Sequence, residues 1–478
     1  MIECQMYVDG NWCDADDGGQ FNVLNPATEE VFAQAAYGGK PEAVRAVKAA
    51  HREYPGWSRR TPYERAELLL AICQVIRENL DHLARLLTQE VGKPLAESLG
   101  EVRGTADQFE WYSEEVKRAG GDVIPTKTPE KRFVTLKHPV GVVAAIAPWN
   151  FPLLLLSRKV APALAAGCTV VGRPSIRSPV AVTELFHLID EVGLPQGVIN
   201  YILGDAEEQA KVFTGMDEVS KISFTGSSEV GRQLAQRSAG SLKKISLELG
   251  GHAPYIIFDD IDPSAGAQKA AYSKFRNMGQ VCISPSRFYV HESILDGFLE
   301  EVEREVKGFI LGNGLEEGVT HGPLQSRDQV GRTQGLVDDI VQKGGKILVG
   351  GSSPPGKSKG FFYLPTVATG INRDMKIMRE EPFAPIMPVI PFESEDEVLL
   401  EANNTPYGLA AYVLTGRLTT AVHMCEGLEA GIIALNDTSP ATSCCPFGGM
   451  KHSGLGREGW HEGLEGYYET KYVSLMLD

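Results

Sequence analysis

The sequence predicts an α/β protein of two or more domains, and three observations carry that prediction. The chain has 478 residues, 43% of them hydrophobic, more than one ordinary core holds. From residue 140 to residue 249, short apolar β-branched runs alternate with segments of helical periodicity. That is the pattern of βαβ units on a parallel sheet covered by helices on both faces. The alternation restarts after Gly251, which predicts a second α/β unit.

The elements follow in chain order. Lys40 to about Arg118 reads as largely helical, with Thr61 as a helix cap and Pro62 as its first position. VGVVAAIAP (140–148) reads as a strand ending at proline, Leu156 to Ala166 as a helix and CTVVGRP (168–174) as a strand. Val180 to Val192 is helical, VINYIL (198–203) strand-like, and KISFTG (221–226) a strand before a helix through Arg237. KKISLEL (243–249) completes the first series. In the second, HAPYIIFDD is a strand, Pro263 to Met278 a helix, RFYV a strand and Ile294 to Phe309 an amphipathic helix. GGSSPPGKSKG (350–360) reads as a surface loop within it.

Composition narrows the function. A net charge of −16 argues against nucleic acid and against an anionic membrane surface. The eight cysteines show no CxxC pair, so neither a metal site nor a disulfide framework is expected. Reduced thiols suit the cytoplasm. The start, MIECQMYVDGNWCDADDGG, has no apolar core of a signal peptide. The most apolar stretch, Val140 to Leu156, is broken by Pro148, Trp149, Asn150 and Pro152, so no membrane span is expected.

Four segments hold candidate chemistry. In FRNMGQVC (275–282), Cys282 is either a buried structural thiol or a nucleophile; the second needs a lowered pKa or an adjacent base, and donors for an oxyanion. In PWNFP (148–152), Asn150 sits between prolines at a strand end. Its amide either donates to a developing oxyanion or bonds its own turn. In LELGG (247–251), Glu248 lies in an apolar strand before two glycines. It is either a general base with a raised pKa or half of an ion pair. FTGSSEVG (224–231) reads as strand, glycine turn and helix start, a place for a phosphate or simply a capped turn.

Together with EEPFAP (380–385) and PFGGMKHSGLGRE (446–458), these segments resemble the aldehyde dehydrogenase family, in the family's order and across essentially the whole chain. The resemblance implies the aldehyde dehydrogenase fold. A Rossmann-like dinucleotide-binding domain (1–120 and 138–249) would join an α/β catalytic domain (250–445) and a small β oligomerisation arm (121–137 and 462–478). The arm implies a homodimer or homotetramer.

The resemblance also implies the site. Cys282 would attack the aldehyde, the Asn150 amide and the Cys282 N–H would hold the oxyanion, and Glu248 would activate water to hydrolyse the thioester. Relatives that pass the acyl group to coenzyme A typically lack that glutamate, so a free acid is expected. Lys159 and Glu458 match a proton relay. Ile146, Pro148, Trp149, Phe224, Gly226, Ser227, Leu249, Glu381 and Phe383 match the NAD or NADP site. Within the family the chain looks most like the succinate-semialdehyde dehydrogenase group: Arg158 and Arg276 match its clamp on a substrate anion, with Thr442 near the third contact. A guanidinium fork suits carboxylate, sulfonate or phosphonate. Two departures matter. Ser284 stands where the group often has a second cysteine. Arg173-Pro174-Ser175-Ile176-Arg177 replaces the usual Lys-Pro-Ser-Glu, removing the carboxylate that bonds the adenosine ribose and leaving two arginines for a 2′-phosphate. NADP is therefore expected to serve at least as well as NAD.

Overall fold

The computed structural model describes residues 1–477. Two large sheets organise them. The first has eight strands in the order Gly454–Leu455, Lys244–Glu248, Val219–Thr225, Val142–Ile146, Thr169–Arg173, Ile199–Tyr201, Met6–Val8 and Asn11–Cys13. Its five middle-chain strands run parallel. Val142–Ile146 is buried at every position, as a strand covered on both faces must be. The second sheet has seven strands, from Lys346–Val349 through Thr366–Thr369, Ile386–Phe392, Pro285–His291, Ala253–Ile257 and Ala410–Leu414 to Ile432–Leu435. All its pairings but the first are parallel.

The helical N-terminal region resolves into Lys40–Ser58, Pro62–Glu78, Leu80–Val91 and Leu95–Glu115. Thr61 caps the second of these. Its Oγ1 accepts the Glu64 N–H at 3.2 Å, and the Glu64 carboxylate accepts the Thr61 N–H at 2.7 Å, a reciprocal capping box. Ahead of them lie short strands with no alternation long enough to read from sequence, including Ile2–Cys4, Gln20–Leu24 and Val31–Ala36.

Two helix boundaries differ from expectation and both shape the site. The helix expected from Leu156 starts at Pro152, which suits a first helical position, and continues through Pro162. The helix expected to reach Met278 stops at Phe275. There the N–H of Asn277 turns away from the helix to the Glu97 carboxylate, at 2.9 and 3.2 Å. Asn277 and Met278 then adopt left-handed backbone, φ 45° and 54°. That turn reverses the chain and delivers Gln280, Val281 and Cys282 to the space between the sheets.

A third sheet stands apart. Tyr468–Met476 pairs antiparallel with Lys131–Pro139 over nine positions, and Val123–Ile124 pairs along the other edge. No helix among the described residues is long and apolar enough to cross a membrane. Nor is any group of three or more His, Cys, Asp or Glu among them placed to hold a metal ion.

Candidate active site

The site forms where the two large sheets meet. On one side is the turn 148–152, between the strand Val142–Ile146 and the helix Pro152–Ala166. Asn150, 3% exposed, donates its side-chain amide to the Gln280 carbonyl at 2.9 Å. It therefore does not bond its own turn; it reaches the Cys282 segment. The amide's second hydrogen has no acceptor among the described residues. The Asn150 carbonyl in turn receives Lys93 Nζ at 2.8 Å. Lys93 forms a buried ion pair with Glu101, whose other oxygen accepts the N–H groups of Leu153 and Leu154 at 3.0 and 3.3 Å. A buried pair is tolerable when its remaining valences are met, as they are here. Sequence reasoning missed Lys93, Glu101 and Glu97; the one available signal was charge inside an otherwise apolar helical pattern.

Cys282 lies opposite, in the turn before the strand Pro285–His291. Burial pushes its thiol up to about 12; the carboxylates of Glu381 and Glu248 push the same way and Arg158 opposes them. At neutral pH the resting sulfur is a thiol, not the preformed thiolate of a pKa-lowered nucleophile.

Glu248 ends the strand Lys244–Glu248. Its carboxyl is 3% exposed, and neither oxygen has a hydrogen-bond partner among the described residues. Burial, then the neighbouring Glu458 carboxylate, holds it well above the usual carboxylate range. The ion-pair alternative is not realised, because Lys159 pairs with Glu458 instead and donates to Thr225 Oγ1 at 2.6 Å. Thr225 and Glu248 are neighbours across the parallel register. Glu248, Glu458 and Lys159 thus form one buried cluster behind the thiol.

The expected dinucleotide residues fall along the carboxyl ends of the first sheet. Ile146 sits in register with Arg173 on one side and Phe224 on the other. Ser227 caps the helix Ser228–Ala239, its Oγ accepting the Val230 N–H at 3.4 Å. Gly226 bonds the Glu248 carbonyl through its N–H at 3.0 Å, and any Cβ there would collide with the Phe224 ring. Leu249 is buried, with Pro148 and Trp149 partly exposed beside the turn. The Trp149 and Phe383 rings stand edge to face at 5.8 Å. The Glu381 carboxylate accepts the Gly251 N–H at 3.0 Å and is pushed up to about 7 by burial. A glycine-lined helix start with apolar walls fits a dinucleotide.

The Ser175–Arg177 turn lies beyond. Arg177 is exposed, its N–H on Ser175 Oγ at 3.2 Å, and Ile176 is half-buried. Arg173 is less free than the sequence suggests. Its guanidinium donates to Gln209 Oε1 and the Gly204 carbonyl, both at 3.2 Å. Both acceptors are neutral, so its charge is not cancelled.

A cleft of about 510 Å³, reached by Phe151 and Leu154 of the segment that follows Asn150, holds Arg158, Arg276 and Thr442 in its wall. Arg158 is 4% exposed and stacks over the Phe447 ring at 4.1 Å. Arg276 stacks over Phe151 at 5.2 Å. Among the described residues neither guanidinium forms an ion pair with a carboxylate, although the Arg276 charge offsets part of the burial that raises the Glu97 carboxyl. The Thr442 hydroxyl lies 3.3 Å from Cys444 Sγ. The aromatic supports Phe447 and Phe151 were not foreseen, since ring-to-guanidinium stacking leaves no local sequence signal.

This geometry can be set beside known proteins. The model of the aldehyde dehydrogenase family matches residues 12–473. A 3-sulfolactaldehyde dehydrogenase of Pseudomonas putida is 44% identical over 475 residues, covering 99% of this chain and 97% of the relative. A glutarate-semialdehyde dehydrogenase of the same species is 42% identical over 477 residues, covering 100% and 98%. The crystal structure of succinate-semialdehyde dehydrogenase from Burkholderia pseudomallei superposes with a TM-score of 0.98 at 40% identity, covering 100% of this chain and 98% of that one. The chain belongs to the aldehyde dehydrogenase family and is an NAD(P)-dependent dehydrogenase of aldehydes.

Proposed function

We propose that the chain oxidises a small aldehyde carrying a second, anionic group to the carboxylic acid, through a thioester on Cys282. The observation that carries the anion is Arg158: a buried guanidinium, stacked on Phe447, facing a cleft with no protein acceptor among the described residues. A buried cation without a partner is costly, and an anionic substrate supplies the partner. Arg276 is the second arm of the clamp and Thr442 a neutral third contact. The relatives named above act on sulfonate- or carboxylate-bearing aldehydes by their names.

In this reading the Cys282 thiol gives its proton to Glu248, which passes it on to Glu458 and Lys159, and the thiolate attacks the aldehyde carbon while the Asn150 amide and Cys282 N–H hold the oxyanion. NADP or NAD, when bound, supplies the hydride acceptor. Glu248 then takes a proton from the water that attacks the thioester, releasing the carboxylic acid and the Cys282 thiolate. Glu458 and Lys159 carry that proton away. Glu381 and Phe383 hold the nicotinamide end. Arg177, helped by Arg173, would hold a 2′-phosphate, with Ile176 in place of a repelling carboxylate, so NADP is expected to serve at least as well as NAD. Residues 1–120 with 138–249 hold the dinucleotide, 250–445 carries the nucleophile, and 121–137 with 462–478 is the arm. The arm leaves two strand edges open, with Val123, Tyr472 and Met476 exposed on them. Such edges pair with another subunit, giving a homodimer or dimer of dimers; a monomer mass by light scattering at micromolar concentration would contradict this.

The test is NAD(P)H formation at 340 nm with succinate semialdehyde, glutarate semialdehyde and propanal, each with NADP and NAD. The anionic aldehydes are expected to exceed propanal in kcat/KM by about a hundredfold, the worth of charge-assisted bonds of roughly 2–3 kcal/mol. R158Q should remove most of that margin while leaving propanal within about threefold. Propanal matching the anions, or a strong preference for NAD, would contradict the clamp or the cofactor assignment respectively.

A pH profile follows from the site's electrostatics. Cys282 and Glu248 both act deprotonated, and burial favours their protonated forms. At saturating cofactor, kcat/KM is expected to fall by up to about tenfold per unit as pH drops from about 8 to about 6. A flat profile over that range would overturn the assignment of both groups.

A further inference from the structure

The wall of the cleft facing the arginine clamp is one stripe of the helix Leu95–Glu115. Ala96, Gly100, Arg103, Gly104 and Asp107 recur along it at helical spacing and all border the cleft. Two of the five are glycines in a helix interior, where each weakens the helix relative to alanine. Neither has a backbone conformation that calls for glycine. Neither is required by packing: a Cβ on Gly100 would meet nothing within 4 Å, and one on Gly104 would touch Leu154 at an ordinary 3.4 Å. The protein therefore leaves room here that its own side chains do not use. The nine-tenths-buried, unpartnered Arg158 faces the same space.

Arg103 is the only cation on that stripe. Among the described residues it forms no ion pair, although three carboxylates line the cleft. Glu101 pairs with Lys93 and Asp107 with Arg77 at 3.5 Å, while Glu97 accepts the neutral Asn277 N–H and lies in the field of Arg276 rather than of Arg103. Three guanidinium groups thus border one hollowed cleft, none of them in an ion pair among the described residues, with the buried Glu97 carboxyl the acidic group that the Arg276 charge acts on. A planar carboxylate is satisfied by one or two guanidinium forks. A tetrahedral anion, broader and with three oxygens pointing apart, uses a third.

We infer that Arg103 is a third substrate-anion contact, and that with Gly100 and Gly104 it selects aldehydes ending in a tetrahedral oxyanion, a sulfonate or phosphonate, over those ending in a carboxylate. This rests on the anionic-aldehyde reading above and refines its substrate class.

The matched probes are 3-sulfopropanal, 3-phosphonopropanal, succinate semialdehyde and propanal, which share the aldehyde and chain length and differ in the terminus. Wild type is expected to favour 3-sulfopropanal or 3-phosphonopropanal over succinate semialdehyde by at least tenfold in kcat/KM; the better of the two fixes the charge of the anion. Arg103→Gln should raise KM for the tetrahedral anions about tenfold and change succinate semialdehyde and propanal less than threefold. Gly100→Leu, which fills the hollow and keeps the Arg103 charge, should show the same selectivity loss, with an unchanged melting temperature confirming that each variant folds. Equal losses on carboxylate and sulfonate, or no wild-type preference between them, overturn the inference while leaving the anion clamp standing. Propanal equal to every anion in wild type overturns the clamp itself, and the inference with it.

Discussion

One hydrogen bond ties the site together: the Asn150 side-chain amide on the Gln280 carbonyl, between segments 130 residues apart. It joins the carboxyl end of the first sheet to the turn that carries Cys282. Both partners are fixed from behind by buried charge. Lys93 and Glu101 brace the Asn150 turn and the start of the following helix. Glu97 takes the Asn277 N–H and forces the helix before Cys282 to end. All three bracing residues come from 93–101, the stretch entering the same helix whose outer face lines the cleft. One helix therefore positions the Asn150 turn, the Cys282 turn and a wall of the cleft together.

Around that junction, stability yields to reactivity. Glu248 keeps two unsatisfied oxygens in the interior, Glu458 keeps one, and Arg158 keeps a guanidinium without a protein acceptor. Groups left unpaired in a folded interior are where function is expected to sit. Their signs also divide the space. Unpartnered carboxylate oxygens, on Glu248 and Glu458, lie behind the thiol; the unpartnered buried guanidinium, Arg158, lies on the wall of the cleft. The chain's net charge of −16 would repel an anion at long range, so holding one, as proposed, requires local cations such as Arg158 and Arg276.

The strands of both central sheets were legible because burial on two faces writes itself as apolar β-branched runs, Val142–Ile146 most plainly. The catalytic candidates were legible as residue types in place, but not their states. Nothing in LELGG distinguishes an ion-paired Glu248 from an unpartnered one; that is decided by Lys159 choosing Glu458, residues far from it in the chain. Likewise the helix after Pro263 ends three residues early because Glu97 captures an N–H 180 positions away. The first 36 residues were unreadable for the opposite reason, their strands being too short to show a period. Arg173 carried a clear charge in the sequence, but its use of Gln209 and Gly204 as supports belongs to tertiary structure alone.

If the buried junction builds a covalent acyl intermediate on Cys282 and Glu248 removes it, loss of the Glu248 carboxylate must stall the enzyme as that intermediate. The most direct measurement is intact-mass and peptide mass spectrometry of the E248Q variant mixed with succinate semialdehyde and NADP. The account predicts one equivalent of NADPH released in a burst, little turnover after it, and a succinyl adduct on the Cys282 peptide. Wild-type turnover in E248Q, or a burst with no adduct on Cys282, would contradict it.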